Sequence, residues 1–237
     1  MVNILFSPRW FWGIDALFES VAILATALLA FYAYRLYKFT KKSSHKYFSL
    51  SFLTLSLAFL AKVITNILLY FPSLRKNTID FLLLKYYILS NTNLIYAAGN
   101  LVYRFMMLLG LLGILWVIGK AREKNKLLIL LYFISAVSFV SIFAAATSYF
   151  ILELYPIFHI TAALFLAYIS YFYYDNFIKK RKNTTLGIFL SFLLIFLSQI
   201  IFIFVLVDLR IYVIAELLQL AGYFLLLYEY YTLTRKK

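Results

Sequence analysis

Long apolar runs alternate along the chain with short clusters of lysine and arginine, and this alternation predicts the elements. Crossing about 30 Å of hydrocarbon takes roughly 20 mostly apolar residues in a helix. Seven runs meet that length: Ile14–Tyr37, Tyr47–Phe71, Thr92–Gly119, Leu127–Phe150, Ile151–Asn176, Thr185–Val207 and Ile211–Thr232. The pattern predicts an all-α polytopic membrane protein, with seven transmembrane helices forming one domain over residues 1–237. Trp10, Phe11 and Trp12 precede the first run, where an aromatic belt meets lipid headgroups. That run is too long for the apolar stretch of a signal peptide and no small-residue cleavage site follows it, so it is expected to stay in the membrane. The loops are short except 72–91. There the eleven-residue run Ile79–Leu89 is too short to span and predicts an interfacial helix in an outer loop.

The basic clusters set the orientation. Sixteen lysines and arginines fall on one side of the seven runs, in Arg35–Lys46, Lys120–Lys126, Lys179–Lys182 and Arg235–Lys237, and five fall on the other. The basic side is expected to face the cytoplasm, with the N-terminus outside and the C-terminus inside. The net charge of +14 is therefore a topology signal spread over turns. It is not a stripe that would hold nucleic acid, and no nucleic-acid partner is expected. The chain is 65% hydrophobic and 14% charged, against about 45–50% and about 25% for an ordinary soluble domain. Those values exclude a soluble globule and a disordered chain, leaving a multi-pass protein of the cell membrane whose first partner is the lipid bilayer. There is no cysteine, which removes disulfides, thiolate metal sites and thiol catalysis.

At an offset of 140, Leu50–Leu53 falls on Leu190–Leu193, both reading LSFL, and both hairpins turn on basic residues. The offset predicts two three-helix units joined by an inverting fourth helix, a 3+1+3 repeat. This plan, with the N-terminus outside, resembles the SWEET sugar-transporter family, whose hinge prolines are missing here, as is the Pro-Gln pair of its PQ-loop relatives. Seven helices so oriented also resemble microbial rhodopsins. Those carry a lysine for retinal in the last span, and Ile211–Thr232 has none. The hairpin FYAYRLYKFTKKSSHKYFSLSFLTLSLAF resembles helix pairs in uncharacterised archaeal membrane proteins and in seven-helix sensor domains of prokaryotic kinases.

Ionisable groups inside spans are costly and mark candidate sites. Lys62, Asn66 and Tyr70 follow i, i+4, i+8 and share one face of the second helix. Asn93, Tyr96, Asn100 and Arg104 form a second stripe, and Glu216, Gln219 and Tyr223 a third. Glu19, His159 and Gln199 add one polar group each to further helices. At about 1.5 Å per residue the charged groups and His159 lie roughly 7 to 18 Å below the outer boundary. Glu19, Lys62, Asn66, Asn100, Arg104, His159, Glu216 and Gln219 are thus expected to line one outward-facing polar cavity. Two cations balance two anions there, and Arg104 is expected to pair with Glu216 or Glu19. The cytoplasmic half is nearly all apolar.

No HExxH, GxSxG, P-loop or paired-aspartate motif is present. The two histidines lack the companions of a zinc site. No enzymatic activity, cofactor or metal is expected. The sequence favours a receptor-like module or complex subunit that binds a small polar ligand or a membrane-protein partner. The alternative is a small-solute or ion transporter of 3+1+3 architecture.

Overall fold

The computed structural model describes residues 7–71, 92–120 and 154–235. Within them the chain is all-α. The helices are α1 (Ile14–Thr40), α2 (Ser43–Tyr70), α3 (Thr92–Lys120), α4 (Leu154–Lys180), α5 (Asn183–Ile203) and α6 (Arg210–Arg235). Short 3-10 turns stand at Arg9–Phe11 and Phe204–Leu206. All six helices are long and apolar enough to cross a membrane, so the chain is an integral membrane protein. The run Leu127–Phe150, expected as a span, and Ile79–Leu89, expected as an interfacial helix, lie outside the described residues.

The helices close into a ring. Each of α1 to α5 packs on the next, and α6 returns to α1. What each helix turns inward follows from the solvent it meets. On α1 the small residues Ala22, Ala25, Ala30 and Ala33 are buried, whereas Leu17, Leu24, Leu28 and Phe31 are exposed. Lipid offers large side chains an environment as apolar as the protein interior, so helices associate through small residues that allow close approach. Toward the basic turns the centre is filled by Phe52, Leu111, Ile114, Ile169, Phe192 and Leu226.

The two hairpins share several features at the 140-residue offset, although their second helices run to 28 and 21 residues. Helices α1 and α4 are each 27 residues long. Lys41 and Arg181 follow them with φ of 55° and 47°, a left-handed conformation that ends a helix by reaching back to its last carbonyls. Their N–H groups donate to the carbonyls of Tyr37 and Phe177, at 2.8 and 2.7 Å. In the helices that follow, Ser51 and Ser191 each donate to the carbonyl four residues back, those of Tyr47 and Gly187.

The third helix of each trio fits in the same way. A Cβ placed on Gly110 of α3 would meet Leu55 and come within 3.0 Å of the Ser51 carbonyl oxygen. One placed on Gly222 of α6 would meet Ile195 and come within 3.0 Å of the Ser191 carbonyl oxygen. Backbone cannot yield as a flexible side chain does. Overfilling such contacts typically costs about 1–3 kcal/mol. Gly110→Leu and Gly222→Leu are each expected to lower the melting temperature of the purified protein by comparable amounts. An unchanged melting temperature in either would show that these helices are not closely seated.

Candidate functional site

The ends of α1, α2, α3, α4 and α6 farthest from the basic turns bring their polar faces together. At their centre lies the ammonium of Lys62, 2.8 Å from Glu19 Oε1 and 2.7 Å from Glu216 Oε1. Glu19 is wholly buried and Glu216 is 4% exposed. Asn66, one turn along α2, donates its amide to both Glu19 oxygens, at 3.2 and 3.0 Å. The Tyr212 hydroxyl reaches Glu19 Oε1 at 3.5 Å. Three rings surround the same ammonium: Tyr103, Tyr212 and Phe202, with centroids 5.3, 5.4 and 6.0 Å away. A desolvated ammonium gains from ring faces at this range. Lys62 thus links α1, α2 and α6 through one charge.

Arg104 is placed differently from expectation. Depth along the helices made Glu19 or Glu216 its partner, but both acids are drawn onto Lys62. The guanidinium, 4% exposed, lies instead over the rings of Tyr155 and Phe158 of α4, 5.7 Å from each. Depth gives the height of a side chain in the bundle and not the neighbour its helix faces. That neighbour is set by the rotation of α3 against α4.

His159 and Gln199 meet, with Nδ1 and Oε1 2.8 Å apart, while the amide nitrogen of Gln199 is buried with no hydrogen-bond partner among the described residues. An amide oxygen only accepts, so Nδ1 carries the hydrogen and Nε2 is left as an acceptor. The ring stacks on Phe202, centroids 4.9 Å apart.

A cavity of about 40 Å³ opens between these groups, with Lys62, Asn66, Asn100, Arg104 and His159 on its wall. That volume holds about three waters. Glu19 and Glu216 stand behind Lys62 rather than on the wall. Gln219 is buried one turn further along α6. The side chains of Asn93 and Tyr96 lie outside the described residues.

Asp15, Tyr70 and the N-terminal turn complete the site and were not foreseen as part of it, although Tyr70 belonged to the α2 stripe. Asp15 stands second in the first apolar run and is buried at the start of α1. Its Oδ1 accepts the N–H groups of Gly13 and Ala16, at 3.0 and 2.8 Å, and its other oxygen accepts the Tyr70 hydroxyl. Unbonded N–H groups and the helix dipole favour an anion there. A glycine followed two residues later by Asp at the head of an apolar run is the signal that would have found it.

Above Asp15, Gly13 adopts φ +88°, a conformation open to glycine at little cost. It folds residues 7–13 back over the cavity. Trp12 stacks on Tyr70, centroids 5.4 Å apart and planes 12° apart, and its indole N–H donates to the Ser7 carbonyl at 3.1 Å. Phe11, 2% exposed, is packed among Tyr155, Phe202, Val205, Tyr212 and Ala215. This turn, called the plug below, is thus anchored by one inserted ring and contributes Ser7 to the cavity wall.

No known family, characterised protein or solved structure matches the chain.

The chain has no cysteine, so an introduced one is its sole thiol. With Asn100→Cys on the cavity wall, adding Phe11→Ala is expected to raise the rate of modification by a water-soluble thiol reagent several-fold. Equal rates with and without Phe11 would show that the turn does not close the cavity.

Proposed function

We propose that the protein is a carrier for a small polar solute, non-enzymatic and resident in the cell membrane. Its binding cavity lies between two related three-helix halves, α1–α3 and α4–α6. The observation that carries this reading is the Lys62–Glu216 ion pair, which joins the halves beside the cavity. A site at the interface of two repeats near mid-membrane is the arrangement from which halves rock to expose it on alternate faces. The matched helix ends, serine bonds and glycine contacts of the two hairpins support the repeat. Helices α3 and α4 both end beside a basic turn, with Trp116 next to Lys41 and Lys42, and Lys179 and Lys180 next to Ser44. They run in the same direction, which supports Leu127–Phe150 as an inverting span and hence seven spans in all. The basic turns support a cytoplasmic placement for that end and an outer placement for the plug.

The second reading is a receptor-like module or complex subunit that binds the solute from outside and does not move it. The apolar centre toward the basic turns favours it. Ser51 and Ser191 are spent on carbonyls of their own helices there.

Accessibility separates the two. In sealed vesicles of known sidedness, a carrier makes Asn100→Cys reactive to an impermeant thiol reagent from both faces. A receptor-like module makes it reactive from the plug side alone. Ser44→Cys, in the first turn of α2, is expected to react only from the cytoplasmic face, and reaction from outside would reverse the assigned orientation.

A further inference from the structure

The end of the bundle at the basic turns carries a second cavity. It is a cleft of about 480 Å³ between the first turn of α2 and the last turns of α3, with Lys41, Lys42, Ser43, Ser44, Tyr47 and Trp116 on its wall. That volume lies within the range of about 300–1,000 Å³ of small-molecule sites. Lys41 and Lys42 are exposed, no acid stands on the wall, and neither lysine pairs with a carboxylate among the described residues. Neighbouring cations are engaged elsewhere: Arg35 and Lys38 lie over the rings of Phe39 and Tyr34, and Lys179 is 2.8 Å from Asp175. The Ser43 and Ser44 hydroxyls, also exposed, add neutral donors beside the two ammonium groups. Tyr47 and Trp116 meet edge to face, centroids 4.7 Å apart, and remain 38% and 43% exposed. On the same helix faces, one turn and two turns further into the membrane, Leu50 and Leu109 are exposed too. Cations and hydroxyls at the end of the spans, above a lipid-facing surface of rings and leucines, match a molecule with a negative head and apolar tails.

The second hairpin supplies a comparison. Arg181 and Lys182 occupy its matching turn with the same left-handed backbone at the first of the two, so the charge is equal. Gly187 stands there where Tyr47 stands in the first, and the Glu229 side chain is seated against it. An acid replaces a ring, and the same pair of charges lacks the rest of the cleft's chemistry. We propose that the α2–α3 cleft binds an anionic phospholipid, its phosphate held by Lys41, Lys42 and the two serine hydroxyls and its acyl chains laid over Tyr47, Trp116, Leu50 and Leu109. Lysines at a membrane surface draw anionic headgroups, and tryptophan and tyrosine favour that depth. The assignment needs only that the helices span a membrane, and it holds whether the outer cavity carries a solute or only binds it.

Fluorescence quenching by lipids with brominated acyl chains tests it on the full chain in vesicles. The chain has three tryptophans, and Trp10→Phe with Trp12→Phe leaves Trp116 as the reporter. Brominated phosphatidylglycerol is expected to half-quench Trp116 at a lipid fraction at least about fivefold lower than brominated phosphatidylcholine, the preference that one lysine at an anionic surface confers. Lys41→Gln with Lys42→Gln is expected to bring the two lipids level. Arg181→Gln with Lys182→Gln removes as much charge from the matching turn and is expected to leave the preference intact. Equal quenching by the two lipids overturns the proposal. So does an equal loss of preference in both double variants, which would reduce the effect to the diffuse charge of the basic face. Should the Lys41 and Lys42 variant not fold, the two lipids on the reporter chain and on the Arg181 and Lys182 variant decide: a preference present in both sustains the site, and its absence from either overturns it.

Discussion

One ammonium shared by two carboxylates, in a place from which most water is excluded, is the constraint on which the rest of the structure depends. Removing charges from water is costly, and attraction repays the cost only where geometry is close and the remaining hydrogen-bonding capacity is met. Both conditions hold at Lys62, with its two acids within 2.8 Å and Asn66 and Tyr212 on Glu19. Three helices must therefore keep their heights and rotations to within a fraction of an ångström at that level. The N-terminal plug and the rings of Phe202, Tyr103 and Tyr212 then shield the group from above and from the sides.

The remainder of the bundle makes such precision attainable. Small residues and glycines face inward, where Gly110 and Gly222 let backbones touch, and Leu, Phe and Tyr side chains are released to lipid. Packing of this kind is stiff because interiors this dense have few ways to shift. The dry centre near the basic turns and the polar centre near the plug divide the molecule into a hinge-like closed end and an end with room for a ligand. Under the proposed function that division sets a direction: a solute meets the plug first, and whether it passes further depends on the closed end parting.

Much of this was legible in the sequence. Apolar run lengths gave the six described helices to within a few residues, although α1 and α4 extend past their apolar limits to Thr40 and Lys180, where left-handed Lys41 and Arg181 stop them. Helical spacing grouped Lys62 with Asn66 and Asn100 with Arg104, and all four side chains lie on the cavity wall. The pairing was not legible. Arg104 was matched to Glu216 or Glu19 on depth, whereas the rotation of α3 turns it to the rings of α4. Asp15 was not singled out as a site residue, because position at the head of an apolar run does not reveal that the preceding turn folds back over it. Such contacts depend on how helices are rotated and on where a glycine reverses the chain, and neither is written in periodicity.

The central claim is that Lys62 and Glu216 are bound to one another across the two halves of the bundle. A double-mutant cycle of Lys62→Met and Glu216→Gln, read as unfolding free energy of the purified protein, measures this directly. Removing the lysine alone strands two buried carboxylates and is expected to cost about 3–5 kcal/mol. Removing the acid as well relieves part of that loss, giving a coupling energy between about 1 and 3 kcal/mol. Losses that add to within about 0.5 kcal/mol, as they do for residues that do not touch, would contradict the account.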